Sequence, residues 1–124
     1  MELFLGIDIG TGGARAGIFD RHGNSLLFCE EPFPLYTPHS GWAEQAPGAW
    51  WTALGKATRK VMSQGNFSPP DIAGMSLDTT SCTVVVSKDD MVPLRPAIMW
   101  MDMRASQQAK RIAACGHPML KYNG

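Results

Sequence analysis

The sequence predicts an α/β fold built on a mixed sheet. Three short apolar runs, residues 3–8, 14–20 and 25–30, follow one another across turn-length gaps, as in an antiparallel meander. From Pro47 the apolar residues fall at helical spacing. Further strand-like runs and a second helical stretch come after it, so helix–strand units continue the layer design.

Residues 3–8 (Leu3, Phe4, Leu5, Gly6, Ile7, Asp8) read as a strand, and their near-continuous apolar character predicts burial on both faces. A second strand spans 14–20. "DRHGN" follows as a tight turn in which Gly23 or Asn24 supplies a positive φ. Residues 25–30 complete the meander. "EPFPLYTPHSGWAEQAP" is rich in proline and reads as an irregular loop. Pro47 suits a first helical turn. Trp50, Leu54, Ala57 and Val61 share one face, and Gly65 is the expected C-terminal cap. Strands are then expected near 72–77, at "TVVVS" (83–87) and at "PAIMW" (96–100). A second helix runs from Asp102 or Met103 to Cys115, with Lys110 and Arg111 near its C-terminal end and Gly116 as its stop.

Composition limits the function classes. The 124 residues are 44% hydrophobic, enough for one domain with a core. Eleven basic residues balance eleven acidic ones, so no net field draws the chain to nucleic acid or to a membrane surface. No apolar run is long enough to span a bilayer. The start "MELFLGIDIG" lacks the basic residues of a signal peptide, and a cytoplasmic location is expected. Cys29, Cys82 and Cys115 are odd in number, not spaced as metal ligands, and read as reduced thiols. The ending "GHPMLKYNG" shows no finishing element, which suggests a piece of something longer.

The chemistry concentrates in "GIDIGTGGARAGIFD", residues 6–20. Gly10, Gly12 and Gly13 leave backbone N–H groups uncovered, as an anion-binding nest requires. Thr11 adds a hydroxyl and Arg15 a fixed positive charge. Asp8, ending the first strand, would repel phosphate unless Mg²⁺ intervenes. A plain glycine-rich hairpin with Asp8 as a turn residue is the competing reading. The loop lacks the Gly-Lys-Ser/Thr end of a Walker A motif. Asp78, Thr79, Thr80 and Ser81 form either a polar site after the fourth strand or a turn cluster. Trp100, with Asp102 and Arg104, is either a ligand-facing group or a core aromatic beside a helix cap and an ion pair. Trp50 and Trp51 read as packing. Met99, Met101 and Met103 read as gap-filling, and His22, His39 and His117 lie in turns or loops without a catalytic role.

"GIDIGTGGARAGIFD" resembles the first phosphate motif of the actin and hexokinase-like ATPases. "GWAEQAPGAWW", "SLDTTSCTVVVSKDD" and "RPAIMWMDMRA" resemble, in order, three stretches of the FGGY carbohydrate kinases. The resemblance runs from residue 3 to about residue 112. It implies an actin-like (ribonuclease H-like) mixed sheet, with residues 1–124 forming the N-terminal part of the first of two domains.

By the same resemblance, the intact protein transfers the γ-phosphoryl of ATP, with Mg²⁺, to a sugar or polyol. Asp8 matches the aspartate near the metal and the transferred group. Gly10, Thr11, Gly12, Gly13 and Arg15 match the phosphate loop, although Gly12 and Gly13 stand where some relatives have hydroxyl residues. Asp78, Thr79, Thr80, Ser81, Trp100, Asp102 and Arg104 match the sugar side. "DTTSCT" is nearer to ribulokinase-like members, which favours a ketopentose such as ribulose or xylulose. The family's general base and most of its adenosine pocket fall beyond Gly124, so the 124 residues alone are expected to be inactive. A homodimer is left open as the assembly. The alternatives are a non-enzymatic actin-like assembly module and a phosphotransferase acting on a non-sugar substrate.

Overall fold

The computed structural model describes residues 2–122. The expected meander is present: β1 (Leu3–Ile9), β2 (Gly13–Asp20) and β3 (Ser25–Pro32) pair antiparallel in sequence. Between β2 and β3, Gly23 takes φ 83°, and the Asp20 carboxylate accepts hydrogen bonds from the His22 and Asn24 N–H groups. A two-residue strand, β4 (Glu44–Gln45), lies inside the proline-rich stretch that the sequence suggested was irregular. Helix α1 (Pro47–Gln64) begins with proline in its first turn. Gly65 is its C-cap, as expected, with a right-handed φ of −88°, and the left-handed residue is Asn66 after it (φ 57°).

Strand β5 (Ile72–Thr79) returns parallel to β1. The four-stranded sheet has the order β3-β2-β1-β5 and is therefore mixed, as expected. Its core lies on one face only. Leu3, Leu5 and Ile7 of β1, Ala16 and Ile18 of β2 and Cys29 of β3 pack against Ala57 and Val61 of α1. The expectation that β1 is buried on both faces is corrected, since Phe4 is exposed. One helix covers one face of the sheet among the described residues, and the period-2 alternation of a strand sends Phe4, Gly6 and Asp8 to the other. The two tryptophans also divide. Trp50 is half-buried, but Trp51 is 78% exposed and is not a packing residue here. Adjacent helical positions point about 100° apart.

The later elements are shorter than expected. Residues 83–87 form no continuous strand; they make single bridges, Val84 to Ile98 and Ser87 to Pro93, around a turn in which Met91 has φ 66°. Their β-branched residues suit a strand, but no long neighbour offers them a ladder. The strand expected at 96–100 is reduced to β6 (Ala97–Ile98), which pairs with β4 in a separate two-stranded sheet. Helix α2 (Ser106–Ala114) starts later than expected because Asp102 and Arg104 are held in a turn before it. Gly116 ends this segment with φ 64°. No helix among the described residues is long and apolar enough to cross a membrane.

Val61 is fully buried where α1 meets the sheet. Truncating it to alanine removes two methyl groups and leaves a cavity, at a cost of ~2 kcal/mol. Urea denaturation of Val61→Ala is expected to show a lower midpoint with an unchanged slope.

Candidate functional site

The site forms where β1 and β5 end together. Their parallel register sets Asp8 beside Asp78 and Ile9 beside Thr79. Beyond the strands, the Thr80 N–H donates to the Ile9 carbonyl at 3.2 Å. The glycine-rich turn and the Thr79–Thr80 segment thus share one open depression of about 200 Å³, lined also by Gln45 and Thr83. The Thr80 and Thr83 hydroxyls lie 3.4 Å apart. The Asp78 carboxylate accepts a hydrogen bond from the Thr79 N–H, and both Asp78 and Ser81 are exposed.

The turn is closed by the Gly10 N–H donating to the Gly13 carbonyl at 3.0 Å. Residues 9–14 contain no helix, as the meander requires. Each glycine has a different surrounding. A Cβ on Gly13 would stand 2.8 Å from the Glu31 carbonyl oxygen, because β3 passes that close. On Gly10 it would meet the Arg15 Nη1, also at 2.8 Å, so the guanidinium lies against bare backbone. Gly12 is exposed and has open space around it.

A row of charges crosses the uncovered face of the sheet. Glu30 pairs in register with Arg15, Arg15 with Asp8, and Asp8 with Asp78. Arg15 donates to Asp8 Oδ2 at 2.6 Å and reaches Glu30 at 3.3 Å. The hydrogen bond to Asp8, with the charge of Glu30, raises the Arg15 pKa above its ordinary value. Asp8 keeps a partly exposed carboxylate at the mouth. Among the described residues no group of three or more His, Cys, Asp or Glu could hold a metal ion. A cation here would therefore be held by Asp8, with Asp78 as its neighbour in register, and otherwise by ligand oxygens and water. That donor set fits Mg²⁺, which takes one or two carboxylates plus phosphate oxygens.

The three residues singled out at 100–104 part company. The Trp100 indole N–H donates to Thr11 Oγ1 at 3.0 Å, which brings this exposed ring to the glycine-rich turn. Asp102 and Arg104 instead form a clamp on β4. The Asp102 carboxylate is 1% exposed and accepts from the Ala43 N–H, the Arg104 N–H and the Arg104 guanidinium. Arg104 also reaches Glu44 at 2.8 Å and lies 3.7 Å over the Trp42 ring. Arg95 meets the same Glu44 oxygen at 2.6 Å. The hydrogen bonds from Arg104 hold the Asp102 carboxyl far below the usual carboxylate range and lower Glu44 as well. Asp102 is thus not the cap of α2, whose N-cap is Ala105.

Gln45 was not anticipated. It is fully buried, donating from Nε2 to the Thr11 carbonyl at 2.7 Å and accepting at Oε1 from the Trp50 indole at 2.9 Å. Its sequence signal was its place in "GWAEQAPGAWW", as the second of a polar pair, Glu44–Gln45, just before the helix.

The profile of the FGGY family of carbohydrate kinases, N-terminal domain, matches residues 3–121. The xylulose kinase of Staphylococcus epidermidis is 33% identical over 122 residues, which is 98% of this chain and 25% of that protein. A D-ribulokinase of Saccharomyces cerevisiae is 30% identical, over 99% of this chain and 19% of its own length. The chain therefore spans a quarter or less of these curated relatives. The crystal structure of a xyloylose kinase from Brucella ovis superposes with a TM-score of 0.87 at 27% identity, covering 92% of this chain and 24% of the other. The actin-like ATPase fold expected for the sheet is thereby found in a solved structure.

Two outcomes are expected from this geometry. Gly12→Ala leaves thermal stability within about 0.5 kcal/mol of the parent, whereas Gly13→Ala forces β3 away and costs about 1–3 kcal/mol; thermal melts of the two variants distinguish them. The second concerns acid. The folded pKa of Asp102 lies below its ordinary value of 3.8, so its contribution is present above that value and is lost as pH falls below it. Asp102→Asn is expected to be less stable than the parent at neutral pH. The gap in urea midpoints is expected to narrow as the pH drops below about 4.

Proposed function

We propose that this chain, which belongs to the FGGY family of carbohydrate kinases, supplies the phosphate cradle and part of the sugar site for phosphoryl transfer from ATP to a sugar hydroxyl. Residues 1–124 are read as the N-terminal part of the first domain of such a kinase. The observation that carries the proposal is the parallel pairing of β1 with β5, which sets the start of the glycine-rich turn, Gly10, and the Thr79–Thr80 segment at one depression.

In this reading the exposed Gly12 amide binds phosphate oxygens, the Gly10 N–H being taken by the Gly13 carbonyl and Gly13 being buried, and Arg15 adds charge at the edge of the turn. Asp8 holds Mg²⁺, which when bound screens the phosphates from the carboxylates and draws charge from the transferring group. Thr79, Thr80 and Ser81 offer hydrogen bonds to sugar hydroxyls. The Trp100 ring offers an apolar face to sugar C–H groups while its N–H stays on Thr11. Asp102 supports the site through β4, because both its carboxylate oxygens are already engaged within the clamp, whereas Arg104 keeps one buried guanidinium nitrogen, Nη1, without a partner. A ketopentose such as xylulose or ribulose is the proposed acceptor. "DTTSCT" favours it, and so do the names of the xylulose kinase and D-ribulokinase relatives.

The test is steady-state kinetics on a chimera in which residues 3–121 replace the matching quarter of the Staphylococcus epidermidis xylulose kinase. Sugar-dependent ADP release is expected with xylulose or ribulose. Asp8→Asn is expected to lower kcat with little change in sugar KM, because metal and transferring charge weigh on the transition state. Thr80→Val is expected to raise sugar KM by up to about tenfold, the worth of one neutral hydrogen bond. Trp100→Ala is expected to raise sugar KM and lower Tm. If Asp8→Asn changed only sugar KM, or Thr80→Val only the KM for ATP, the division of the site would be wrong.

A further inference from the structure

We infer that Gln45 is a positioning residue for the glycine-rich turn: with Trp50 behind it, Gln45 fixes the Thr11–Gly12 peptide so that the Gly12 N–H faces the bound anion. The inference rests on the reading of the turn as a phosphate cradle.

The argument begins with what each group can do. A tryptophan indole only donates, so the side-chain oxygen of Gln45 faces Trp50 and its NH₂ faces Thr11. The Thr11 carbonyl is thereby drawn toward a fully buried side chain. Every peptide bond in the described chain is trans. In a trans peptide the C=O and the following N–H point in opposite directions, so the Gly12 N–H is turned away from Gln45, and it has no hydrogen-bond partner among the described residues. The next peptide is held too, because the Gly12 carbonyl accepts from the Phe33 N–H at 3.2 Å.

Thr11 is held from both ends. Its carbonyl is bound by Gln45, 34 residues away in sequence, and its hydroxyl by Trp100, 89 residues away. Glycine peptides rotate easily, so a cradle of bare glycines needs such external anchors to stay in one orientation. The clamp of Asp102 and Arg104 on Ala43 and Glu44 sets the strand that presents Gln45. Trp50 sits on α1, so the anchor connects the helix to the turn through one amide.

The experiment uses the 124-residue chain and two readouts: the ¹H–¹⁵N resonance of the Gly12 amide, and NMR titration with inorganic tripolyphosphate plus Mg²⁺. Gln45→Glu keeps an acceptor for Trp50 but removes the donor to Thr11. It is expected to shift the Gly12 amide in the free chain and to weaken tripolyphosphate binding by about five- to tenfold. Trp50→Phe removes only the indole N–H, and a smaller loss of about two- to threefold is expected. Val61→Ala, in the core away from the turn, is expected to lower Tm while leaving both readouts unchanged. That outcome separates positioning from general destabilisation. A folded Gln45→Glu with an unmoved Gly12 amide and parental affinity overturns the inference. If Gln45→Glu fails to fold, Trp50→Phe decides by the same two readouts. Absence of tripolyphosphate binding by the parent chain overturns the cradle reading itself, and the Gly12 amide then still decides the peptide orientation alone.

Discussion

The parallel hydrogen bonding of β1 to β5 is the constraint from which the site follows. A parallel neighbour must be reached by a crossover, and here α1 makes it. The crossover brings two chain segments about seventy residues apart to the same end of the sheet. The ladder stops at Ile9 and Thr79, with one further hydrogen bond from the Thr80 N–H to the Ile9 carbonyl. Ligands of open α/β sheets gather at such ends. The antiparallel β1–β2 pair contributes differently, turning at the glycines and placing Arg15 across from Asp8.

The polar interactions around this end differ in what they do. The Asp8–Arg15–Glu30 contacts are half-exposed and contribute little to stability, as surface ion pairs do. Their effect is to orient charge at the mouth. The Asp102–Arg104–Glu44 contacts are largely buried, and every Asp102 oxygen is satisfied. Such a pair is costly to break from one side, since the remaining charge stays desolvated. The clamp therefore holds a strand of only two residues, β4, in one register with β6. Through Gln45 that register reaches the glycine-rich turn.

The parts of this arrangement that depend on local pattern were legible in the sequence. The apolar runs and Gly23 gave away the meander, and Pro47 with the spacing of Ala57 and Val61 gave away α1. The glycines at 10, 12 and 13 marked the turn. What could not be read depends on partners distant in sequence. Val84, Val85 and Val86 have the chemistry of a strand but no extended neighbour, so they stay exposed. β4 hides in a proline-rich stretch because its stability comes from β6 and from the clamp. Asp102 and Arg104 look equally apt for a ligand or for each other, and only the position of Glu44 decides between these. Gln45 is polar and fully buried, a combination that a sequence conceals until its two hydrogen-bonding partners are located.

The charge row gives a reason for the proposed cradle to be built from backbone. Glu30, Asp8 and Asp78 are three carboxylates against one guanidinium, Arg15, along one line across the sheet. That face by itself repels a polyphosphate. A lysine of the Walker type could offset the repulsion by charge, but the turn has none. In the proposed cradle, backbone amides such as that of Gly12 would donate without adding a side chain to a turn where β3 already crowds Gly13. Their dipoles are weaker than a full charge, so their orientation matters more: an amide turned away contributes nothing, whereas a mobile lysine still attracts. A cradle made this way depends on whatever fixes its peptide planes. Thr11, bound at its carbonyl and at its hydroxyl by two separate segments, is where this structure supplies that fixation.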